Sequence, residues 1–130
     1  MAQSIAADSQ TPQVLAFLDS YFTAINNHSY RDYRALLNPA AAQALTYPTF
    51  QNGYATSQDS AEKLHGISAA GDGDTVASVT FTSHQDAANS VDGSGQTCTR
   101  WDVLLYLQSD GDGYLLGKSP PGYHAAYAAC

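Results

Sequence analysis

The spacing of apolar residues divides the chain into a helical first half and a β-rich second half. In the first half, apolar residues recur at intervals of three and four, which predicts an amphipathic helix over residues 12–27. Its inward stripe comprises Val14, Leu18, Tyr21, Phe22 and Ile25, widened by Leu15 and Phe17. We expect Thr11 to cap this helix and Pro12 to occupy its first position.

Two shorter helices are predicted to follow. Ser29 is a good cap for the second helix because its hydroxyl can accept from a backbone N–H of the first turn. The inner face of this helix comprises Tyr30, Tyr33, Leu36 and Leu37. Pro39 ends it and opens a third, alanine-rich helix that stops before Pro48. Residues 50–54 contain an Asn-Gly turn signal, so we expect a loop there.

The second half alternates between β-forming runs and turn residues. Strands are predicted at residues 75–85, 97–108 and 114–118, with a weaker candidate at 56–70. Turns at 71–74 and 109–113 and a polar loop at 86–96 connect them, and a small aromatic tail closes the chain. Helices followed by an antiparallel meander predict an α+β fold, with one curved sheet packed on the N-terminal helices.

Length and composition favour one exported domain. The 130 residues suit a single domain, which we place at residues 11–130 after a linker at 1–10. Apolar residues make up 44 % of the chain and charged residues only 13 %. The surface must therefore consist largely of uncharged polar side chains, a composition common in exported proteins.

The charge balance argues against two classes of partner. The chain has 5 basic and 12 acidic residues, a net charge of −7, and its basic residues form no run. Nucleic-acid binding and direct attachment to anionic lipid are therefore not expected. The polar N-terminus lacks a basic start and an apolar core, so we interpret it as a linker from a longer exported or membrane-anchored protein and not as a signal peptide.

Several segments resemble a known superfamily. They are VLAFLDSYFTAINNHSYRDYRALLNP, FQNGYATSQ, TVASVTFTSHQ and TCTRWDVLLYLQSDGDGYLLGKS. They resemble actinobacterial extracytoplasmic domains of the nuclear transport factor 2-like superfamily, which also contains steroid isomerases, scytalone dehydratase and SnoaL-like polyketide cyclases. The resemblance implies a cone-shaped α+β fold and an extracytoplasmic location. Some domains of this kind are the extracytoplasmic part of serine/threonine kinases. It also implies that a homodimer could form through the outer face of the sheet.

The resemblance implies a cavity between the helices and the concave face of the sheet. A tyrosine can line such a site because its ring packs while its hydroxyl orients a polar group. The residues predicted to line the ligand site are Tyr21, Tyr33, Tyr47, Tyr54, His84, Trp101 and Tyr106. Ordinary core packing by the same aromatic residues is the alternative.

Three titratable residues are candidates for acid–base chemistry in this cavity: Asp32, His84 and Asp102. Alternation along the strand places Arg100 and Asp102 on one face and Trp101 on the other. Asp102 would form either an exposed ion pair or, if it faces the cavity, a desolvated carboxyl with a raised pKa. We favour the exposed pair.

The two cysteines, Cys98 and Cys130, are expected to form a disulfide, given their even count and the exported composition. A catalytic thiolate at Cys98 would need a base such as His84, and free thiols or an intermolecular bridge are further alternatives. The histidines lack the close spacing of a zinc motif, so neither a metal nor another cofactor is expected.

Taken together, these features favour a non-catalytic domain that binds or senses a small apolar or amphipathic molecule, or that contacts a protein partner. The rival hypothesis is a small isomerase, cyclase or dehydratase that uses an Asp or His in the cavity. A third is a purely structural interaction module whose cavity is filled by its own side chains. An acid–base residue inside an open cavity, with a hydrogen-bond partner, would favour the enzyme.

Overall fold

The computed structural model describes residues 10–70, 74–90, 94–111 and 113–130, and its architecture is α+β. The described helices are α1 (Thr11–Asn26), α2 (Tyr30–Ala35), α3 (Pro39–Ala44) and α4 (Tyr47–Tyr54). The strands are β1 (Gln58–Ala69), β2 (Thr75–His84), β3 (Cys98–Asp110), β4 (Gly113–Leu116) and β5 (Ala126–Ala129). A 3₁₀ turn at Ala87–Asn89 lies between β2 and β3. The predicted order of helices followed by antiparallel strands is confirmed.

The starts of the first two helices differ in how they are capped. Helix α1 begins one residue earlier than predicted, and Gln10 at its N-cap makes no side-chain capping hydrogen bond, so the cap predicted at Thr11 is wrong. In α2 the predicted cap is present, since the Asp32 backbone N–H donates to Ser29 Oγ at 3.2 Å. No described helix is long and apolar enough to cross a membrane.

Helix α4 replaces the loop that the sequence predicted at residues 50–54. Its first turn contains Pro48, and the Thr49 backbone N–H donates to Thr46 Oγ1 at 3.3 Å. A backbone N–H in the first turn has no partner within the helix, so a proline there costs no helical hydrogen bond. Pro48 therefore lies in the first turn of α4 and does not act only as a stop after α3. Phe50 is 2 % exposed, and its burial outweighs the local turn signal of Asn52-Gly53.

The sheet is antiparallel, with the strand order β1-β2-β3-β4 and with β5 pairing to β3. Strand β5 lies in the predicted tail and was not expected. Pairing of β1 with β2 shifts register between Ser60 and Lys63 and again between Leu64 and Gly66. Such irregularities bend a strand and increase its twist.

The core lies between α1 and one face of the sheet. On β3 this inward face includes Val103 and Leu107, as the alternation predicted, while Asp102 is exposed. The buried apolar core comprises Val14, Phe17, Leu18, Tyr21, Phe22, Ala24, Ile25, Tyr33, Leu37, Phe50, Val76, Ala77, Val79, Val103 and Leu107. Three predicted features lie wholly or partly outside the described residues: most of the linker at 1–10, most of the turn at 71–74, and residues 91–93 of the polar loop at 86–96.

Candidate functional site

A cavity of about 590 Å³ lies between the helices and the inward face of the sheet. Helices α1, α2 and α4 and strands β1, β2 and β3 all contribute side chains to it. Its lining comprises Tyr21, Ile25, Tyr33, Leu45, Thr49, Phe50, Asn52, Tyr54, Ser57, Asp59, Phe81, Ser83, Gln85, Ser90, Thr99, Trp101 and Val103. Nine of these residues are apolar or aromatic and eight are polar. Apolar and aromatic walls combined with polar groups are typical of sites for small molecules.

Three tyrosines from three helices meet at the cavity, and we call Tyr21, Tyr33 and Tyr54 the tyrosine cluster. The ring centroids of Tyr21 and Tyr33 are 5.7 Å apart, and those of Tyr33 and Tyr54 are 5.3 Å apart. The hydroxyl oxygens of Tyr33 and Tyr54 are 3.3 Å apart and share a hydrogen bond. Their packing brings polar hydroxyls into an otherwise apolar region.

The hydroxyls of Tyr21 and Tyr54 stay protonated at neutral pH. Burial raises the pKa of Tyr21 well above its ordinary value, and the neighbouring Tyr54 and Tyr33 raise it further. Burial likewise raises the pKa of Tyr54, with further contributions from Tyr33 and Asp59. Tyr21 and Tyr54 therefore offer neutral O–H groups that can donate a hydrogen bond to a ligand.

A carboxylate, Asp59, enters the cavity from the start of β1. Its side chain is 8 % exposed, and it lies directly opposite Ser83 in the β1–β2 pairing. The side chain of Asn26, the last residue of α1, forms hydrogen bonds with both backbone polar groups of Asp59. Asn26 Nδ2 donates to the Asp59 carbonyl at 2.9 Å, and Asn26 Oδ1 accepts from the Asp59 N–H at 2.6 Å. The end of α1 thus fixes where the carboxylate enters.

Burial sets the electrostatics of Asp59. It raises the pKa of this carboxyl to about 6, against an opposing hydrogen bond from the Ser83 side chain, and nearby Glu62 raises it slightly more. At neutral pH the group is mainly ionised. It is the one charged side chain among the described residues that line the cavity. The cavity therefore has a negative charge without a basic partner on its own walls.

The structure brings together four of the seven residues predicted for ligand binding. Tyr21, Tyr33, Tyr54 and Trp101 line the cavity, where their helices and the inward face of β3 converge. Three others do not line it: Tyr47, His84 and Tyr106. Tyr47 is exposed and packs against Tyr30, and Tyr106 contacts the ring of Tyr123.

The three acid–base candidates lie outside the cavity, and all three are exposed. Asp32 occupies the first turn of α2, and His84 is the last residue of β2. Asp102 lies opposite Thr80 on β2 and Ala126 on β5, on the face of β3 that points away from Trp101. The structure does not place them beside one another.

Asp59 is the functional candidate that the sequence prediction missed. The weak alternation of residues 56–70 gave no clear inward face for that segment. The register shift between Ser60 and Lys63 then puts Asp59 and Leu64 on the same face of the sheet, although they are five residues apart and simple alternation would place them on opposite faces. The carboxylate is identified as inward-facing by the pairing of Asp59 with Ser83. Ser83 is buried on β2, a strand that the sequence predicts well.

The predicted disulfide between Cys98 and Cys130 is confirmed, with its Cα atoms 5.4 Å apart. Both sulfurs are covalently paired, so neither cysteine is a nucleophile in this state. Within the described part of the chain, no group of three or more His, Cys, Asp or Glu residues is arranged to hold a metal ion.

Comparisons with models of known protein families, with curated proteins and with solved structures give no match to this chain.

Proposed function

We propose that this chain is a cone-shaped domain of the nuclear transport factor 2-like type. Three features support this assignment: the helices that precede the sheet, the register shifts that bend β1, and the cavity between the two layers. They agree with the layout that the sequence resemblance implies. A fold of this kind hosts enzymes and binding modules alike, so the function must be argued from the cavity itself.

The function that we propose is non-catalytic binding of a small, mainly apolar or amphipathic molecule in this cavity. One observation carries the proposal: a space of about 590 Å³ has aromatic walls and also presents the tyrosine cluster and Asp59. A pocket of this size falls within the range of small-molecule sites. The apolar walls would desolvate the ligand, while the hydroxyls and the carboxylate would orient its polar group.

A neutral fluorescent dye tests whether the cavity is open to ligands. We expect N-phenyl-1-naphthylamine to bind with one-to-one stoichiometry and to increase its emission. Asn52 is exposed and lines the cavity, so Asn52→Phe should narrow the space and weaken binding about tenfold or more. Gln51→Phe, at the neighbouring exposed position that does not line the cavity, is the matched control. Equal binding by both variants would contradict the proposal.

A second candidate function is proton transfer, and Asp59 is the observation that favours it. A carboxyl with a pKa near 6 in a desolvated site is suited to act as a general base near neutral pH. Protonated tyrosine hydroxyls could stabilise a developing oxyanion. In this version of the isomerase or dehydratase hypothesis, Asp59 takes the role that the sequence gave to Asp32, His84 or Asp102.

Exchange of protons next to a ketone carbonyl tests this rival function. Small cyclic ketones would be incubated with the protein in D₂O and followed by NMR. The enzyme hypothesis predicts exchange at least about 100-fold faster with the wild type than with Asp59→Asn. If the wild type exchanged these protons no faster than Asp59→Asn and still bound the dye tightly, the binding function would be the better account.

We also propose an extracytoplasmic location, supported by the Cys98–Cys130 disulfide. Cells of a natural host should be alkylated rapidly and then separated into cytoplasmic and exported fractions, and intact mass should find the protein in the exported fraction with both cysteines protected. Protein confined to the cytoplasmic fraction with two alkylated thiols would contradict this location. A protein partner or a second copy on the outer face of the sheet remains a prediction from the resemblance, and light scattering over a range of concentrations tests the dimer.

A further inference from the structure

The unbalanced charge of Asp59 narrows the chemistry of the ligand. Among the described residues that line the cavity there is no Lys, Arg or His side chain. The Asp59 carboxylate is buried, it accepts a hydrogen bond from the neutral Ser83 side chain, and the acidic Glu62 acts on it electrostatically. A buried carboxylate of this kind is costly for the protein until a cation accompanies it.

The walls around this carboxylate also suit a cation. Tyr33, Phe50, Tyr54, Phe81 and Trp101 all line the same cavity as Asp59. Aromatic rings attract ammonium groups through their quadrupoles, and this attraction grows when water is excluded. A negative carboxylate among aromatic rings would favour a cation over a neutral group and would repel an anion.

The size of the cavity indicates that the cation has an apolar body. A space of about 590 Å³ far exceeds what a simple ammonium ion would fill. Nine of its seventeen lining residues are apolar or aromatic, including Ile25, Phe50, Phe81 and Val103. A hydrocarbon or aromatic portion attached to the ammonium group would replace the water in this region.

We propose that the cavity binds a cationic amine with an apolar body, and that Asp59 is the counter-ion of its ammonium group. This inference rests on the proposed binding function and adds the chemical class of the ligand. The hydroxyl oxygens of the tyrosine cluster would accept further hydrogen bonds from the ammonium group. The net charge of −7 would also favour the approach of a cationic ligand over that of an anion.

Three probes of matched shape test the inference: phenethylamine, 2-phenylethanol and phenylacetate. Trp101 is the chain's single tryptophan and lines the cavity, so its fluorescence reports binding, with calorimetry as the second measurement. At neutral pH and low salt we expect phenethylamine to bind about tenfold or more tightly than 2-phenylethanol, because the amine gains a charge-assisted hydrogen bond. Phenylacetate should bind more weakly than either.

The variant Asp59→Asn should remove this preference, so that the amine and the alcohol bind within about twofold of each other. Asp19→Asn, an exposed change on α1, should keep the preference. Equal affinities for the amine and the alcohol on the wild type would overturn the cation inference, whether or not Asp59→Asn folds. If the neutral dye still bound, the binding function would survive that result, whereas failure of the dye and all three probes would overturn both proposals.

Discussion

Asp59 shows how a single residue couples the frame of the protein to its cavity. The Asn26 side chain contacts both the carbonyl and the N–H of Asp59, so the end of α1 determines the position of this residue. The carboxylate itself is buried opposite Ser83, at an electrostatic cost that its raised pKa reflects. A residue that costs stability while lining a cavity is a good candidate for function.

The first prediction concerns the pH dependence of stability. The pKa of Asp59 is about 6 in the folded protein, against an ordinary value of 3.8. Because the folded state binds this proton more tightly than the unfolded chain, Asp59 favours folding when protonated, and that contribution is lost as the pH rises from about 4 to about 6. In urea unfolding, we expect Asp59 to lower the free energy of unfolding by about 2 kcal/mol across this window.

Asp59→Asn lacks this titration, so its stability should change less over the same window and should exceed that of the wild type near neutral pH. Glu62 and Tyr54, which interact electrostatically with Asp59, are present in both proteins. Asp19→Asn is the exposed control and should follow the wild type. Identical pH profiles for the wild type and Asp59→Asn would show that Asp59 is not desolvated.

The second prediction concerns Asn26. Asn26→Ala removes two hydrogen bonds to the Asp59 backbone and leaves those groups poorly satisfied. We expect the free energy of unfolding to fall by about 1–3 kcal/mol. Asn27→Ala, at the exposed position next to it, should change stability by less than about 0.5 kcal/mol. Denaturant unfolding of both variants measures the difference, and equal losses would contradict the anchoring role.

At the scale of elements, the outer edge of β3 is shared between two short strands. Strand β4 pairs with its end at residues 107–110, and β5 pairs with its start at residues 99–102. Between them, the Leu104 N–H donates to the Tyr123 hydroxyl at 2.7 Å. The C-terminal segment therefore covers an edge that would otherwise leave backbone groups unpaired.

The third prediction concerns the disulfide that fixes this segment. Cys98 and Cys130 enclose a loop with a sequence separation of 32 residues. On loop-closure entropy, the double variant Cys98→Ser/Cys130→Ser should lose about 3–4 kcal/mol in free energy of unfolding. Thermal unfolding of the oxidised wild type and of the double variant checks this value. A midpoint unchanged by the substitution would contradict a stapling role.

The fourth prediction concerns Tyr123. Tyr123→Phe removes the acceptor of the Leu104 N–H and keeps the ring that packs against Tyr106. The expected loss is about 1 kcal/mol in free energy of unfolding. Tyr114→Phe on β4 is the control, because no described residue forms a hydrogen bond with the Tyr114 hydroxyl. Hydrogen exchange at the Leu104 amide should accelerate in Tyr123→Phe alone, and equal exchange in both variants would exclude this bond.

The elements that could be predicted from the sequence are those determined by local signals, such as apolar spacing and a capping residue. Helix α1 and strands β2 and β3 follow from apolar spacing, and α2 from the Ser29 cap. Helix α4 was missed because the burial of Phe50 outweighs a local turn signal. Strand β5 was missed because AYAA has no alternation, and its pairing depends on β3 and the disulfide. Asp59 was missed because a register shift breaks the periodicity of β1.

At the scale of the whole molecule, the helices and the sheet are held apart around a space that the core does not fill. Close packing elsewhere is the usual state of protein interiors, and open space of this size forgoes dispersion contacts. The chain tolerates both this space and a buried carboxylate within it. A ligand that fills the space and neutralises the charge would offset both costs, and we therefore expect the bound form to be more stable than the free form.

A crystal structure of the wild type with phenethylamine tests the central claim most directly. The account predicts the aromatic ring of the ligand inside the cavity beside Phe50 or Trp101, and its ammonium nitrogen within hydrogen-bond distance of the Asp59 carboxylate. An Asp59→Asn crystal treated in the same way should lose the ligand or show it without that contact. An empty cavity at a concentration that saturates binding in solution, or a ligand bound elsewhere, would contradict the claim.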